Sequence, residues 1–141
     1  MHQPIRVLFL CEGNADRSQM AEGLLRARGG ARFEAYSAGI EPRPLDPLTV
    51  SVMQEAGIAI AEQRSKGLND YEDTQFDYVV ILDDKLDSSC LDFPRDGHTL
   101  HWRGSDPAAA TGTPAERQAA YRQARDEIQR QLESWLAGLA D

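Results

Sequence analysis

Apolar residues along this chain fall into short bursts whose period switches between continuous runs and helical spacing. Residues 5–10, Ile5-Arg6-Val7-Leu8-Phe9-Leu10, form a compact apolar run that predicts a strand covered on both faces. Over residues 18–28 the apolar positions Met20, Ala21, Leu24 and Leu25 share one helical face, and Gly29-Gly30 ends the segment. Residues 32–38 predict a second strand. After the stiff loop Glu41-Pro42-Arg43-Pro44, Asp46-Pro47 opens a helix with an N-cap followed by proline at the first position. Leu48, Val52 and Ala56 share its face, and Gly57 closes it. A short helix follows Ser65, residues 78–82 repeat the continuous apolar pattern, and residues 99–102 form a shorter strand at the sheet's margin. Thr113-Pro114-Ala115-Glu116 has capping-box spacing, and Ile128, Leu132, Trp135 and Leu139 give the last helix an inward stripe.

Strands alternating with helices predict a single α/β domain over residues 1–141. The expected architecture is a roughly four-stranded parallel sheet with helices on both faces. Ligands of such sheets bind beyond the carboxyl ends of the strands. The 141 residues, 41% apolar and 27% charged, suit one soluble domain with a core of its own. No apolar run approaches the roughly 20 residues of a membrane span. The first strand begins so close to Met1 that no secretory signal is expected, which predicts a cytoplasmic protein. A net charge of −8 argues against nucleic acid or an anionic membrane as partner. Cys11 and Cys90 are too few for a disulfide scaffold, and His2, His98 and His101 form no ligand cluster, so no metal site is expected.

The chemistry concentrates at the end of the first strand, in Cys11-Glu12-Gly13-Asn14-Ala15-Asp16-Arg17-Ser18. Five residues between Cys11 and Arg17 let the loop curl around a tetrahedral oxyanion, with the amides of Glu12, Gly13, Asn14, Ala15, Asp16 and Arg17 pointing inward. Arg17 supplies a planar fork for two oxygens. The same field favours thiolate over thiol at Cys11, and Ser18 can donate a hydrogen bond to that sulfur. Gly13 and Asn14 tolerate the positive φ such a loop requires. A cysteine at a strand end is often a small buried residue only; the spacing to Arg17-Ser18 and the helix that follows favour a nucleophile. The Asp16 carboxylate would repel a dianion if it pointed inward. Asp106-Pro107 follows the marginal strand, which places it at the same carboxyl edge. Asp-Pro is a common turn dipeptide, but beside the cysteine loop Asp106 reads as the acid that protonates a leaving oxygen.

These features resemble the low-molecular-weight protein tyrosine phosphatase superfamily, and within it most nearly the thioredoxin-type arsenate reductases. The resemblance spans nearly the whole chain: the Cys-x5-Arg-Ser phosphate-binding loop, Ser37-Ala38-Gly39, Asp77-Tyr78-Val79-Val80, His101-Trp102 and Asp106-Pro107-Ala108-Ala109-Ala110. It implies an arsenate reductase whose Cys11 forms a covalent thiol–arsenic adduct and releases arsenite. Phosphotyrosine-hydrolysing members carry aromatic residues after the Asp-Pro, whereas three alanines follow here, which suits a small inorganic oxyanion such as arsenate, phosphate or sulfate. The reductase pattern expects two further cysteines, at positions 83 and 90. This chain has Asp83 and Cys90, so the adduct is resolved either by Cys90 or by an external thiol; thioredoxin, glutaredoxin with glutathione, and mycothiol are the candidate reductants. Many reductases of this type also hold potassium beside the loop. Asn14, Glu22 and Ser37 match that pattern, but Lys66 stands at the aspartate position, either filling the cation's place or lying in solvent.

The competing enzymatic reading is a phosphatase hydrolysing phosphate monoesters through a cysteinyl-phosphate, which needs Cys11, Arg17 and Asp106 but no resolving thiol. A non-catalytic oxyanion- or phosphoprotein-binding module is a third class, disfavoured by the intact Cys11, Arg17, Ser18 and Asp106.

Overall fold

The computed structural model describes residues 3–83 and 98–139. Its centre is strand β1 (Ile5–Cys11), whose side chains alternate between two cores. Val7 and Phe9 face one side and Leu8 and Leu10 the other, all fully buried, as a continuous apolar strand requires. Strands β2 (Phe33–Gly39), β3 (Tyr78–Ile81) and β4 (His98–His101) pair with it in the order β2-β1-β3-β4, every pairing parallel. β4 occupies an edge, as its short and largely exposed sequence suggests.

The chain leaves β1 toward β2, then returns across β1 to reach β3. The strand order therefore reverses at β1, and a crevice opens there at the carboxyl edge. Cys11 lies opposite Gly39 at the end of β1, and Leu10 opposite Ile81.

Helices α1 (Arg17–Gly29), α2 (Pro47–Glu55) and α3 (Pro114–Leu139) all cover the Val7/Phe9 face. Met20, Ala21, Leu24 and Leu25 of α1 are buried as their spacing predicts. In α2 Asp46 caps the helix by accepting from the Leu48 amide at 2.9 Å, and Pro47 follows. Its buried stripe is Thr49, Val52 and Met53, with Leu48 packing from the margin; Ala56 is already the C-cap, and Gly57 closes the helix at φ 80°. The capping box of α3 is present, with Glu116 N donating to Thr113 Oγ1 and Thr113 N to Glu116 Oε1, both at 3.1 Å. The inward stripe of α3 begins earlier than the sequence suggests, at Tyr121 and Ala124, and runs through Ile128 and Leu132 to the half-buried Trp135.

On the opposite face the helical cover among the described residues is the 3₁₀ turn Leu68–Tyr71, which is the short helix expected after Ser65. Tyr71, Tyr36 and Phe76 stack edge-to-face there, with centroids 5.3–5.8 Å apart. No helix among the described residues is long and apolar enough to cross a membrane.

Candidate active site

The loop between β1 and α1 is shaped by what holds its carbonyl groups. Glu12 O accepts from Glu41 N at 2.8 Å, Gly13 O from Arg43 N at 2.8 Å and Ala15 O from Asp46 N at 3.1 Å. Asn14 O accepts from Gln19 Nε2 at 3.0 Å. Four successive carbonyls are thus turned outward. Because a trans peptide sets each N–H opposite the preceding carbonyl, the amides of Gly13, Asn14, Ala15 and Asp16 turn inward. The turn needs Asn14 at φ 49°, a conformation asparagine tolerates. The loop also rests on the end of β2: a Cβ on Gly39 would lie 2.7 Å from Asn14 N and 2.8 Å from Gly13 C.

Within this cradle Cys11 Sγ lies 2.8 Å from Ser18 Oγ. Asn14 Nδ2 donates to the same hydroxyl at 2.8 Å, leaving the Ser18 proton available to the sulfur. Arg17 is gripped by the two residues that follow β3, with Nη1 donating to Leu82 O at 2.7 Å and Nη2 3.4 Å from Asp83. Nη2 also lies 3.7 Å from Asp106 Oδ1, an oxygen that accepts from the Ala108 amide at 3.0 Å. Nε is buried with no hydrogen-bond partner among the described residues. A buried donor without a partner costs free energy, and an oxyanion in the loop would satisfy it.

The electrostatics differ from the sequence expectation at one point. Burial pushes the Cys11 thiol up, and the Asp16 carboxylate pushes it further; the Ser18 hydroxyl and the amides of Ser18 and Asn14 oppose both without overcoming them. Burial and Asp16 thus favour the thiol over the thiolate at Cys11 in the free protein. Asp16 is the reason the loop departs from a purely cationic cradle. Its side chain is turned into the site, nine-tenths buried, and accepts from the Arg17 amide at 2.6 Å. Burial raises its pKa; the Arg17 amide and guanidinium lower it, and the charges of Asp106 and Asp46 add to the rise.

Behind the loop, Asn14 Oδ1 accepts from Lys66 N at 2.7 Å and from Gln19 Nε2 at 3.0 Å. Lys66 is buried, and its Nζ lies 3.0 Å from Glu22 Oε1, which also accepts from the Ser37 hydroxyl. Arg26 Nη1 lies 2.6 Å from Glu22 Oε2. The lysine, placed by the sequence either here or in solvent, is therefore here. Lys66→Met removes one of two cations from a buried carboxylate and should lower unfolding stability by about 2–4 kcal/mol in urea titrations. Wild-type melting temperature should not change when sodium is exchanged for potassium; a potassium-specific rise of several degrees would show that the ammonium does not stand in for a cation.

The structure thus brings together Cys11, Asp16, Arg17, Ser18 and Asp106 at the cradle, with Asn14, Glu22, Ser37 and Lys66 bracing it. Glu12 faces the rim, its carboxylate 3.5 Å from Arg43 Nη2. Cys90 lies outside the described residues. Sequence reasoning missed Gln19, fully buried and bonded to Asn14, Arg64 O and Gln63. Gln19 lies opposite the apolar stripe of Met20, Ala21, Leu24 and Leu25, so periodicity gave no signal for its burial. It also missed Asp46, whose amide holds Ala15 O while its carboxylate accepts from the Tyr121 hydroxyl at 2.7 Å.

A family model described as low molecular weight phosphotyrosine protein phosphatase matches residues 6–141. An arsenate reductase of Halalkalibacterium halodurans is 39% identical over 129 residues, covering 92% of this chain and 93% of that one. Among solved structures, an arsenate reductase in the phosphate-binding state superposes with a TM-score of 0.79 at 23% identity, covering 96% of this chain and 99% of the other. A thioredoxin-dependent arsenate reductase of Corynebacterium glutamicum superposes with a TM-score of 0.70 at 27% identity, covering 98% of this chain and 65% of that one.

Proposed function

The chain belongs to the low molecular weight phosphotyrosine protein phosphatase family, and from that premise we propose that it is a thiol-dependent arsenate reductase. The observation that carries this reading is the lining of the cradle: inward amides, an Arg17 Nε with no partner among the described residues, and Cys11 surround a seat for one tetrahedral oxyanion. The residues after Asp106 are Pro107 and three alanines, which form no wall for an aromatic ring. Relatives named arsenate reductase, alike over nearly the whole chain, support it.

In the proposed sequence the Cys11 sulfur attacks arsenic. A sulfur–arsenic bond forms and an arsenic–oxygen bond breaks. The departing oxygen leaves as water, taking one proton from Asp106 and one that the thiol has given up to the oxyanion. A second thiolate then attacks the Cys11 sulfur: a disulfide forms, and the sulfur–arsenic electron pair stays on arsenic. Two thiols lose two electrons, and arsenic(V) becomes arsenic(III), released as arsenite. Ser18, held by Asn14, stabilises the Cys11 sulfur as it loses its proton to attack arsenic. The second thiol is Cys90 or an external one, thioredoxin, glutathione or mycothiol among them. The cytoplasm, where thiols are kept reduced, is the compartment that suits this cycle.

Phosphate-monoester hydrolysis through a cysteinyl-phosphate is the second reading. It is favoured by Asp83, a carboxylate 3.4 Å from Arg17 at a position where the reductase resemblance calls for a cysteine. Arsenite production from arsenate with each reductant, measured beside p-nitrophenyl phosphate hydrolysis, separates the two. Arsenite formation with at least one thiol and weak hydrolysis is the expected result. Hydrolysis with no arsenite under any reductant would replace the reductase reading with the phosphatase one. A single turnover without added thiol, followed by mass spectrometry for a Cys11–Cys90 disulfide, identifies the resolving group.

A further inference from the structure

The cradle holds more negative charge than an anion site needs. Asp16, Asp83 and Asp106 all place a carboxylate oxygen within 4.0 Å of the Arg17 guanidinium, at 4.0, 3.4 and 3.7 Å. One cation thus faces three carboxylates before any substrate enters. Asp83 reaches the guanidinium from the end of β3 and Asp106 from its more exposed outer side, whereas Asp16 belongs to the loop itself. Its Oδ1 sits 2.6 Å from the Arg17 amide and 4.0 Å from Arg17 Nε, which has no hydrogen-bond partner among the described residues. Those are two of the donors an arriving oxyanion would use.

We propose that the Asp16 carboxylate holds the place of the substrate in the free protein, and that a dianionic oxyanion enters only as Asp16 takes up a proton. The proposal deepens the reading of this loop as an oxyanion site and rests on it. Protonation changes Asp16 from a competitor into an ally: the neutral carboxyl no longer repels the dianion and gains an O–H to donate to it. The groups facing Asp16 favour this outcome. Arg17 of α1 is the cation, whereas the carboxyl groups of Asp46 at the start of α2 and Asp106 beyond β4 add to the cost of a charged Asp16. Cys11 and Tyr121 lie nearby, and burial pushes the pKa of each up. Only one of these neighbours stabilises a charged Asp16, and a dianion would claim that arginine for itself.

Sulfate is the probe, because it remains a dianion from pH 5 to 8 and any pH dependence must come from the protein. Calorimetric titration in buffers of differing ionisation enthalpy should show uptake approaching one proton per sulfate bound. Affinity should fall by about tenfold per pH unit above the Asp16 midpoint. Asp16→Asn, which can still cap α1, should abolish the uptake and bind sulfate more tightly than wild type at pH 8; Asp16→Ser is a second capping variant should the first fold poorly. Asp106→Asn should keep the uptake. Wild-type affinity that is flat across this range, or undiminished uptake in Asp16→Asn, overturns the proposal. If neither wild type nor the Asp16 variants bind sulfate at any pH, the oxyanion reading of the loop falls and takes the proposal with it.

Discussion

Cys11→Ser should leave no measurable arsenite production and no phosphate-ester hydrolysis, with the fold intact by circular dichroism. The side chain is fully buried and differs by one atom, so packing changes little, yet the only described thiol of the cradle is lost. A serine alcohol is far less acidic than a thiol and far harder to ionise in a buried site. The protonation state of the wild-type thiol carries a second, independent expectation. Because burial and Asp16 raise the Cys11 pKa, the iodoacetamide rate against pH should show a midpoint above the free-thiol value of about 8.5. Removing the Asp16 charge removes one upward cause, so in Asp16→Asn that midpoint should move to lower pH. A wild-type midpoint well below 8.5 would mean that the loop amides outweigh burial, and the thiol would then already be ionised before substrate arrives.

The next largest effect is expected at Asp106. Asp106→Asn should slow turnover by roughly 10²–10⁴-fold, the usual range for losing a positioned acid. Asparagine can still accept from the Ala108 amide as Asp106 Oδ1 does, so the turn should survive and Cys11 alkylation should be little changed. With aryl phosphates the loss should shrink as the leaving group improves, since a good leaving group needs no proton. An equal loss across the series would make Asp106 a positioning residue that acts through Arg17, 3.7 Å away.

Much of this site was legible before the structure because its parts are local. The strand, the Cys-x5-Arg spacing and the helix after it mark the loop, although its carbonyls are held from residues 41–46, and Asp46-Pro47 and Thr113–Glu116 announce their helices through capping chemistry that depends on adjacent residues. What was not legible depends on contacts between distant segments. The raised Cys11 pKa follows from burial and from the direction in which Asp16 points, and neither has a sequence signature. Likewise Gln19 looks like an ordinary polar residue of α1 until Arg64 O arrives from the segment beyond α2. The stripe of α2 shifted from Ala56 to Thr49 and Met53 because packing against the neighbouring helices, not periodicity alone, decides which side of a short helix is buried. Lys66 was left between two environments for the same reason: only the pairing of its segment with the end of β2 brings it to Glu22.

The outward carbonyls of the loop have a thermodynamic consequence. Glu12, Gly13 and Ala15 are fastened to the amides of Glu41, Arg43 and Asp46, and the loop backbone lies against Gly39 with no room for a Cβ. The conformational entropy of the cradle is thus surrendered when the chain folds, and a ligand meets a rigid seat whose ordering subtracts nothing from its affinity. The converse is that the cradle cannot soften alone. Changes in residues 41–46 or at Gly39, remote from the reacting atoms, register as lost affinity, while a bound oxyanion stabilises the whole sheet by mass action.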